Sequence, residues 1–229
     1  MKRLYNYFTT TEKWLWSLSV LAMILSFLIF DRSNYLNLIS SLVGITSLIF
    51  AAKGNPVGQI LIIIFSIFYG VISYAFGYYG EMLTYLGLTA PMAIIALISW
   101  LKHPYKGNKS EVEVSRLYAK EHIVMWPLTA VVTLIFYFLL SMLSTANLIP
   151  STLSVATSFL AVYLTYRRSP YYAIAYALND IVLIFLWSLA AVEDISYMSV
   201  IICFVAFLAS DIYSFTSWRK MQKRQTAAS

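Results

Sequence analysis

Apolar residues run along this chain in eight long, uninterrupted stretches, at 14–30, 36–52, 57–77, 83–101, 123–143, 148–166, 171–190 and 196–217. None alternates with period two, so none reads as a strand of a membrane barrel. Each is close to the ~20 residues an α-helix needs to cross a hydrocarbon layer of roughly 30 Å. Lipid offers no partner to backbone N–H and C=O groups, and helices satisfy them within the segment. Polar or helix-breaking residues bound the stretches: Asp31-Arg32, Lys53-Gly54-Asn55-Pro56, Gly80-Glu81, Lys102 to Pro104, Pro150, Arg167 to Pro170 and Glu193-Asp194. Pro56, Pro150 and Pro170 stand at or near predicted helix starts, where a missing N–H costs little. The pattern predicts an all-α membrane protein with eight transmembrane helices. The first run follows Lys2, Arg3 and Lys13 as a secretory leader would. It is long for a leader and ends at Asp31-Arg32 with no small-residue cleavage pattern, so it reads as a retained helix.

Composition agrees. Of 229 residues, 60% are hydrophobic and 11% charged, where a soluble domain carries about 25% charged residues. Placing the first end inside puts Lys2, Arg3, Lys13, Lys53, Lys102, Lys106, Lys109, Arg116, Lys120, Arg167, Arg168, Arg219, Lys220, Lys223 and Arg224 on the cytoplasmic side. The external segments hold Arg32 together with Asp31, Glu81, Glu193 and Asp194. This alternation is the positive-inside pattern and predicts cytoplasmic termini. The net charge of +6 is then a topology signal with some affinity for anionic lipid, not a nucleic-acid surface. In the longest loop, 102–122, Val114, Leu117 and Tyr118 recur at helical spacing among Lys and Glu. The loop reads either as a short amphipathic helix on the inner surface or as a solvated linker.

A repeat is visible at the level of pattern. The segment 36–101 holds three predicted spans and closes on Ser99-Trp100-Leu101-Lys102; 148–218 holds three more and closes on Ser217-Trp218-Arg219-Lys220. In each, a basic loop (Lys53; Arg167-Arg168) follows the first span and an acidic one (Glu81; Glu193-Asp194) the second. The predicted architecture is 1 + (3 + 1 + 3): an N-terminal region 1–35 with the first helix, a three-helix repeat 36–101, a cytoplasmic loop and linker helix 102–147, a parallel second repeat 148–218, and a basic tail 219–229. Parallel repeats about an axis along the membrane normal are a transporter design with substrate held near the midplane.

Candidate chemistry is sparse. Cys203 is the single cysteine, and His103 and His122 flank a loop away from acidic clusters, so no disulfide, metal or cofactor is expected. No Walker A, H-E-x-x-H or G-x-S-x-G pattern occurs, and no enzyme is expected. Polar residues within spans are functional candidates by default. The strongest set is on the seventh span: Tyr172, Tyr176 and Asn179 share a face by spacing, Asp180 adjoins them, and Trp187 lies two turns on. Aromatic walls with an amide suit a heteroaromatic ligand; an interhelical hydrogen bond and an aromatic helix interface are the competing reading. In the first repeat Gln59, Ser66 and Tyr69 share a face. On the last span Asp211 and Tyr213 stand beside Ser210, with Asp211 either on a polar pathway or paired with Arg219. Thr84, Tyr85 and Thr89 are softer candidates.

The run Gly44…Ala52-Lys53-Gly54-Asn55-Pro56…Gly58, then Ile72-Ser73-Tyr74, Tyr79-Gly80-Glu81-Met82, Pro91 and Trp100, resembles the PnuC family of vitamin transporters. Arg167-Arg168 before an aromatic span, Asn179 within it and the closing Trp218 extend the resemblance from about residue 36 onward. It implies a fold similar to SWEET sugar transporters and uptake of nicotinamide riboside by facilitated diffusion across a bacterial cytoplasmic membrane. It also implies trapping of the substrate by a cytosolic kinase. Related branches carry thiamine, riboflavin or deoxynucleosides. The Trp-x-x-Trp-x-x-x-Asn motif of nicotinamide riboside carriers reads Tyr172, Ala175 and Asn179 here, keeping one aromatic and losing the other. Asp180 would offset the charge of a pyridinium ring, and with Asp211 it leaves proton coupling open. Homo-oligomerisation is left open, as is the competing class, a membrane enzyme or scaffold.

Overall fold

The computed structural model describes residues 7–75, 77–145 and 147–228. Lys2 and Arg3, used above for orientation, and Phe76, within the third predicted stretch, lie outside the described residues. Among the described residues, eight helices are long and apolar enough to span a membrane. They are α1 (Thr10–Phe30), α2 (Tyr35–Ala52), α3 (Val57–Ala75), α4 (Tyr79–Lys102), α5 (Ala119–Met142), α6 (Leu148–Tyr166), α7 (Tyr172–Ala191) and α8 (Met198–Ala227).

The boundaries follow local chemistry. α1 starts four residues before its apolar run because Thr9 and Glu12 form a reciprocal capping box, Thr9 N donating to Glu12 Oε2 at 2.7 Å and Glu12 N to Thr9 Oγ1 at 3.3 Å. α2 ends on Gly54 at φ +66°, with Gly54 N bonded to Ala51 O and Asn55 N to Phe50 O, a left-handed cap that glycine adopts without strain. α6 ends the same way on Arg168 at φ +55°, with Arg168 N bonded to Thr165 O and Ser169 N to Leu164 O. α4 widens into a π-helical segment at Thr84–Thr89 just ahead of Pro91, which lacks the N–H a regular turn needs there.

Two expectations are corrected. Glu81, expected in an acidic outer loop, stands in the first turn of α4 and is buried, its Oε1 accepting from Ser154 Oγ at 3.3 Å. The loop 102–122 forms neither a surface helix nor a free linker. Its first half is a β-hairpin, β1 (Pro104–Tyr105) against β2 (Asn108–Val112). The two-residue turn Lys106-Gly107 has positive φ at both positions, 48° and 80°, the geometry that matches strand twist. Past the hairpin the chain runs as a strap across the basic end. Val112 N bonds Gly54 O, and Ser115 N bonds Arg168 O, so one segment ties together the two left-handed caps.

Six helices pack in a closed ring, α2–α3–α4–α6–α7–α8 and back to α2. α1 lies outside against α2 and α8, and α5 outside against α6. Only 22% and 17% of the apolar windows of α1 and α5 are buried, against 39–56% for the ring helices. The outer pair therefore presents most of its surface to lipid, and the polar residues buried within the ring face its interior. α1 is pinned by the buried Glu12 carboxylate, which accepts from Tyr213 OH on α8 at 3.0 Å and pairs with Lys53 at 3.4 Å.

Candidate functional site

Inside the ring, within about one turn of the middle of α7, lies a cavity of about 40 Å³. α7 contributes Tyr176, Asn179 and Asp180; α8 contributes Phe204, Phe207 and Asp211; α6 contributes Ser158; α3 and α4 contribute Phe65, Tyr85 and Thr89. The π-helical segment of α4 matters here, because it supplies both Tyr85 and Thr89 to the wall.

Asn179 is oriented by α6. Its Oδ1 accepts from Thr157 Oγ1 at 2.8 Å and from Ser158 Oγ at 3.0 Å. With the carbonyl held by two hydroxyls, the amide NH₂ is the part of the side chain left to donate. Asp180 of α7 and Asp211 of α8 stand together on the cavity wall. Both are buried, at 3% and 2% exposure, and Asp180 Oδ2 and Asp211 Oδ1 have no protein partner. Buried carboxyl oxygens without partners are costly. Here they border a cavity.

Aromatic clusters close the cavity at both ends. Toward the acidic end Tyr69 packs on Tyr85 (centroids 4.4 Å), Phe65 (5.5 Å), Phe204 (5.8 Å) and Trp187 (6.3 Å). Tyr78 and Tyr197 cover Trp187 at 4.7 and 5.4 Å. Burial pushes the Tyr78 phenol up to about 12, so this outer ring is neutral and a hydrogen-bond donor. Toward the basic end Tyr172 packs on Trp218 at 4.9 Å and on Tyr176 at 6.1 Å, and Trp218 on Trp100 at 5.4 Å.

The two tryptophans are bonded crosswise. Trp100 Nε1, at the end of α4, donates to Thr165 O at the end of α6 (2.9 Å), and Ser99 Oγ to Tyr166 O (3.0 Å). Trp218 Nε1 on α8 donates to Ala51 O at the end of α2 (2.8 Å), and Ser217 Oγ to Ala52 O (2.8 Å). Each serine thus supplies a donor to a C-terminal carbonyl, Tyr166 O or Ala52 O, and each tryptophan adds a second donor to a carbonyl already bonded within its cap, Thr165 O or Ala51 O.

Of the residues singled out in the sequence, Tyr176, Asn179, Asp180 and Asp211 come together in the cavity wall. Asp211 stands with Asp180 on that wall and makes no ion pair with Arg219. Tyr172 belongs to the basic-end closure, Tyr69 and Trp187 to the acidic-end closure. Ser66 is buried one residue along from Phe65, with its hydroxyl unpartnered. Gln59 lies buried in the first turn of α3 and outside the wall. Tyr213 faces Glu12 on α1. The hydroxyls of Thr157 and Ser158 escaped sequence reading, although Ser151, Ser154 and Ser158 form a polar stripe at helical spacing that marks the inward face of α6.

Residues 34–220 match the family described as nicotinamide mononucleotide transporter. Over 215 residues the chain is 24% identical to a Neisseria mucosa protein named nicotinamide riboside transporter PnuC, covering 92% of this chain and 82% of that protein. The fold is similar to the crystal structure of the vitamin B3 transporter PnuC, with a TM-score of 0.82 at 21% identity over 95% of this chain and 94% of that one. The family match takes in α2 to α7 and α8 as far as Lys220, and leaves out α1. This chain therefore belongs to the nicotinamide mononucleotide transporter, or PnuC, family of membrane transporters.

Proposed function

We propose that this protein carries nicotinamide riboside into the cell by facilitated diffusion with alternating access, in a bacterial cytoplasmic membrane with the basic end facing the cytoplasm. The observation that carries the reading is the enclosed ring cavity with Asn179, Asp180 and Asp211 on its wall. The Asn179 amide donates to a carboxamide or ribose oxygen, and the carboxyl pair faces the pyridinium charge. Tyr85 and Tyr176 offer ring faces, worth about 0.5–2 kcal/mol to a cation. A volume of about 40 Å³ admits a few waters and falls well below the roughly 300 Å³ of a small-molecule pocket. The protein is therefore in an occluded form, and the ring must part at one aromatic closure to admit substrate. Cytosolic phosphorylation of the product then prevents its return.

We also read α2–α4 and α6–α8 as parallel three-helix repeats joined by α5. The matched left-handed caps and the crossed Ser-Trp bonds support that reading. The replacement of a family tryptophan by Ala175 favours one alternative, a related vitamin or nucleoside with a different ring. Binding to purified protein across nicotinamide riboside, nicotinamide, thiamine, riboflavin and deoxynucleosides separates the two. Asn179→Ala should weaken binding of the preferred ligand roughly tenfold, the loss of one or two directional hydrogen bonds. Uptake into proteoliposomes that survives this change intact removes the site assignment. Uptake that follows an imposed pH gradient replaces facilitated diffusion with proton coupling through the carboxyl pair.

A further inference from the structure

α5 packs on α6 and makes no substantial contact with α7. On the outer surface of the ring this leaves a groove of about 1000 Å³ at the basic end, open toward lipid. Leu160 and Leu164 of α6 form its floor, with Trp126 of α5 and Ile174 and Leu178 of α7 as its walls. From Tyr171 to Leu178 the wall extends about 10 Å along the helix axis, enough for the glycerol region and the first methylenes of an acyl chain.

The rim differs in kind from the floor. α8 continues past the apolar stretch as a helix to Ala227, and this extension carries Arg219 and Lys223 over the mouth of the groove, opposite Arg116 of the strap. No carboxylate lines the groove. The nearby acids are engaged elsewhere: Glu121 with Arg167 and Glu111 with Arg224. Among the described residues, Arg116, Arg219 and Lys223 have no ion pair. Arg219 bonds Gln222 at 2.8 Å and lies over the Tyr171 ring at 5.9 Å; Arg116 reaches Thr226 at 3.5 Å. Three uncompensated cations above a cleft of leucine, isoleucine and tryptophan make a site for a molecule that is anionic at one end and apolar at the other.

We propose that this groove binds one anionic phospholipid, its phosphate among Arg116, Arg219 and Lys223 and its acyl chain along Leu164, Ile174 and Leu178. The bound lipid bridges the outer helix α5 to the ring helices α7 and α8, with which α5 otherwise makes no substantial contact. The site is separate from the ring cavity, so it stands or falls independently of the transport reading.

The test is lipid retention by the full-length protein, purified in mild detergent, with phosphatidylglycerol or phosphatidylcholine added and bound lipids counted by native mass spectrometry. One phosphatidylglycerol should be retained selectively. Arg219→Gln with Lys223→Gln should weaken it roughly tenfold or more. Ile174→Trp, which narrows the groove with every cation intact, should weaken it as well. Lys106→Gln with Lys109→Gln, two cations of the hairpin outside the groove, should leave retention unchanged. Equal retention of phosphatidylcholine overturns the proposal, as does equal loss in the hairpin variant. Displacement of the lipid by inorganic phosphate alone also overturns it, and assigns the cations to a free anion. If the double Gln variant does not fold, Ile174→Trp carries the test, and full retention in it overturns the apolar half of the site.

Discussion

Asp180 and Asp211 occur thirty-one positions apart on two different spans, and each alone reads as an isolated polar residue in a membrane helix. Brought together they place two buried carboxyls on one cavity wall, each with an oxygen that has no protein partner. Asn179 was legible from its position among aromatics, but the direction it points was not, since that depends on Thr157 and Ser158 of α6. A different carboxyl gives a test at residue scale. Asp31, in the turn between α1 and α2, is held above the usual carboxylate range by burial, against the pull of its hydrogen bond from Asn37, with Asp194 adding to the rise. The folded state thus binds this proton more readily than the unfolded chain. The contribution to stability is full below the ordinary carboxylate pKa and is lost as pH rises through the elevated one. Asp31→Asn keeps an acceptor for Asn37 and should flatten the decline in thermal stability as pH rises above the ordinary carboxylate pKa of about 4. An unchanged pH profile would place that dependence in other groups.

At the scale of elements, the eight apolar stretches predicted the helices closely, because in lipid length and hydrophobicity leave few alternatives. The departures each have a local cause. α1 and α4 start early, the first through its capping box, and α8 runs on as a helix through its basic end. The hairpin turns on Lys106-Gly107, whereas the sequence reading of this loop rested on the helical spacing of Val114, Leu117 and Tyr118. Those residues instead follow the hairpin, and Val112 is fully buried against Trp100 and Trp218. The helix terminators give the corresponding prediction. Gly54 has φ +66°, and a Cβ there would approach Met221 Cε and Val112 Cγ1 at 3.2 Å. Gly54→Ala should cost about 1 kcal/mol or more and lower the unfolding midpoint by about 2–4 °C. Arg168 and Ser144, which occupy the equivalent conformation at the ends of α6 and α5, show the fold tolerating that strain elsewhere.

For the whole molecule, the transport reading proposed above makes the two aromatic closures of the ring the gates of a path. The crossed tryptophan bonds are the polar part of the basic-end gate. Trp218→Phe keeps the aromatic ring and removes the N–H; Ala51 O keeps its bond from Gly54 N and loses the one from the indole, at a cost of about 0.5–1.5 kcal/mol. The closed arrangement should lose population accordingly. With Thr89→Cys as a reporter in the cavity wall and Cys203→Ser to remove the native thiol, labelling from the basic side should quicken by up to roughly tenfold. Labelling at the original rate would mean that the indole bond takes no part in closure. Sequence by itself determined that this chain spans a membrane eight times as helices, because solvation by lipid acts on each segment separately and can be read one segment at a time. Which helices close into a ring, which two stay outside, and which carboxyls and hydroxyls face a common cavity were decided only by tertiary packing. Those relations join residues dozens to hundreds of positions apart, and along an apolar helix every face looks alike until a neighbour covers it.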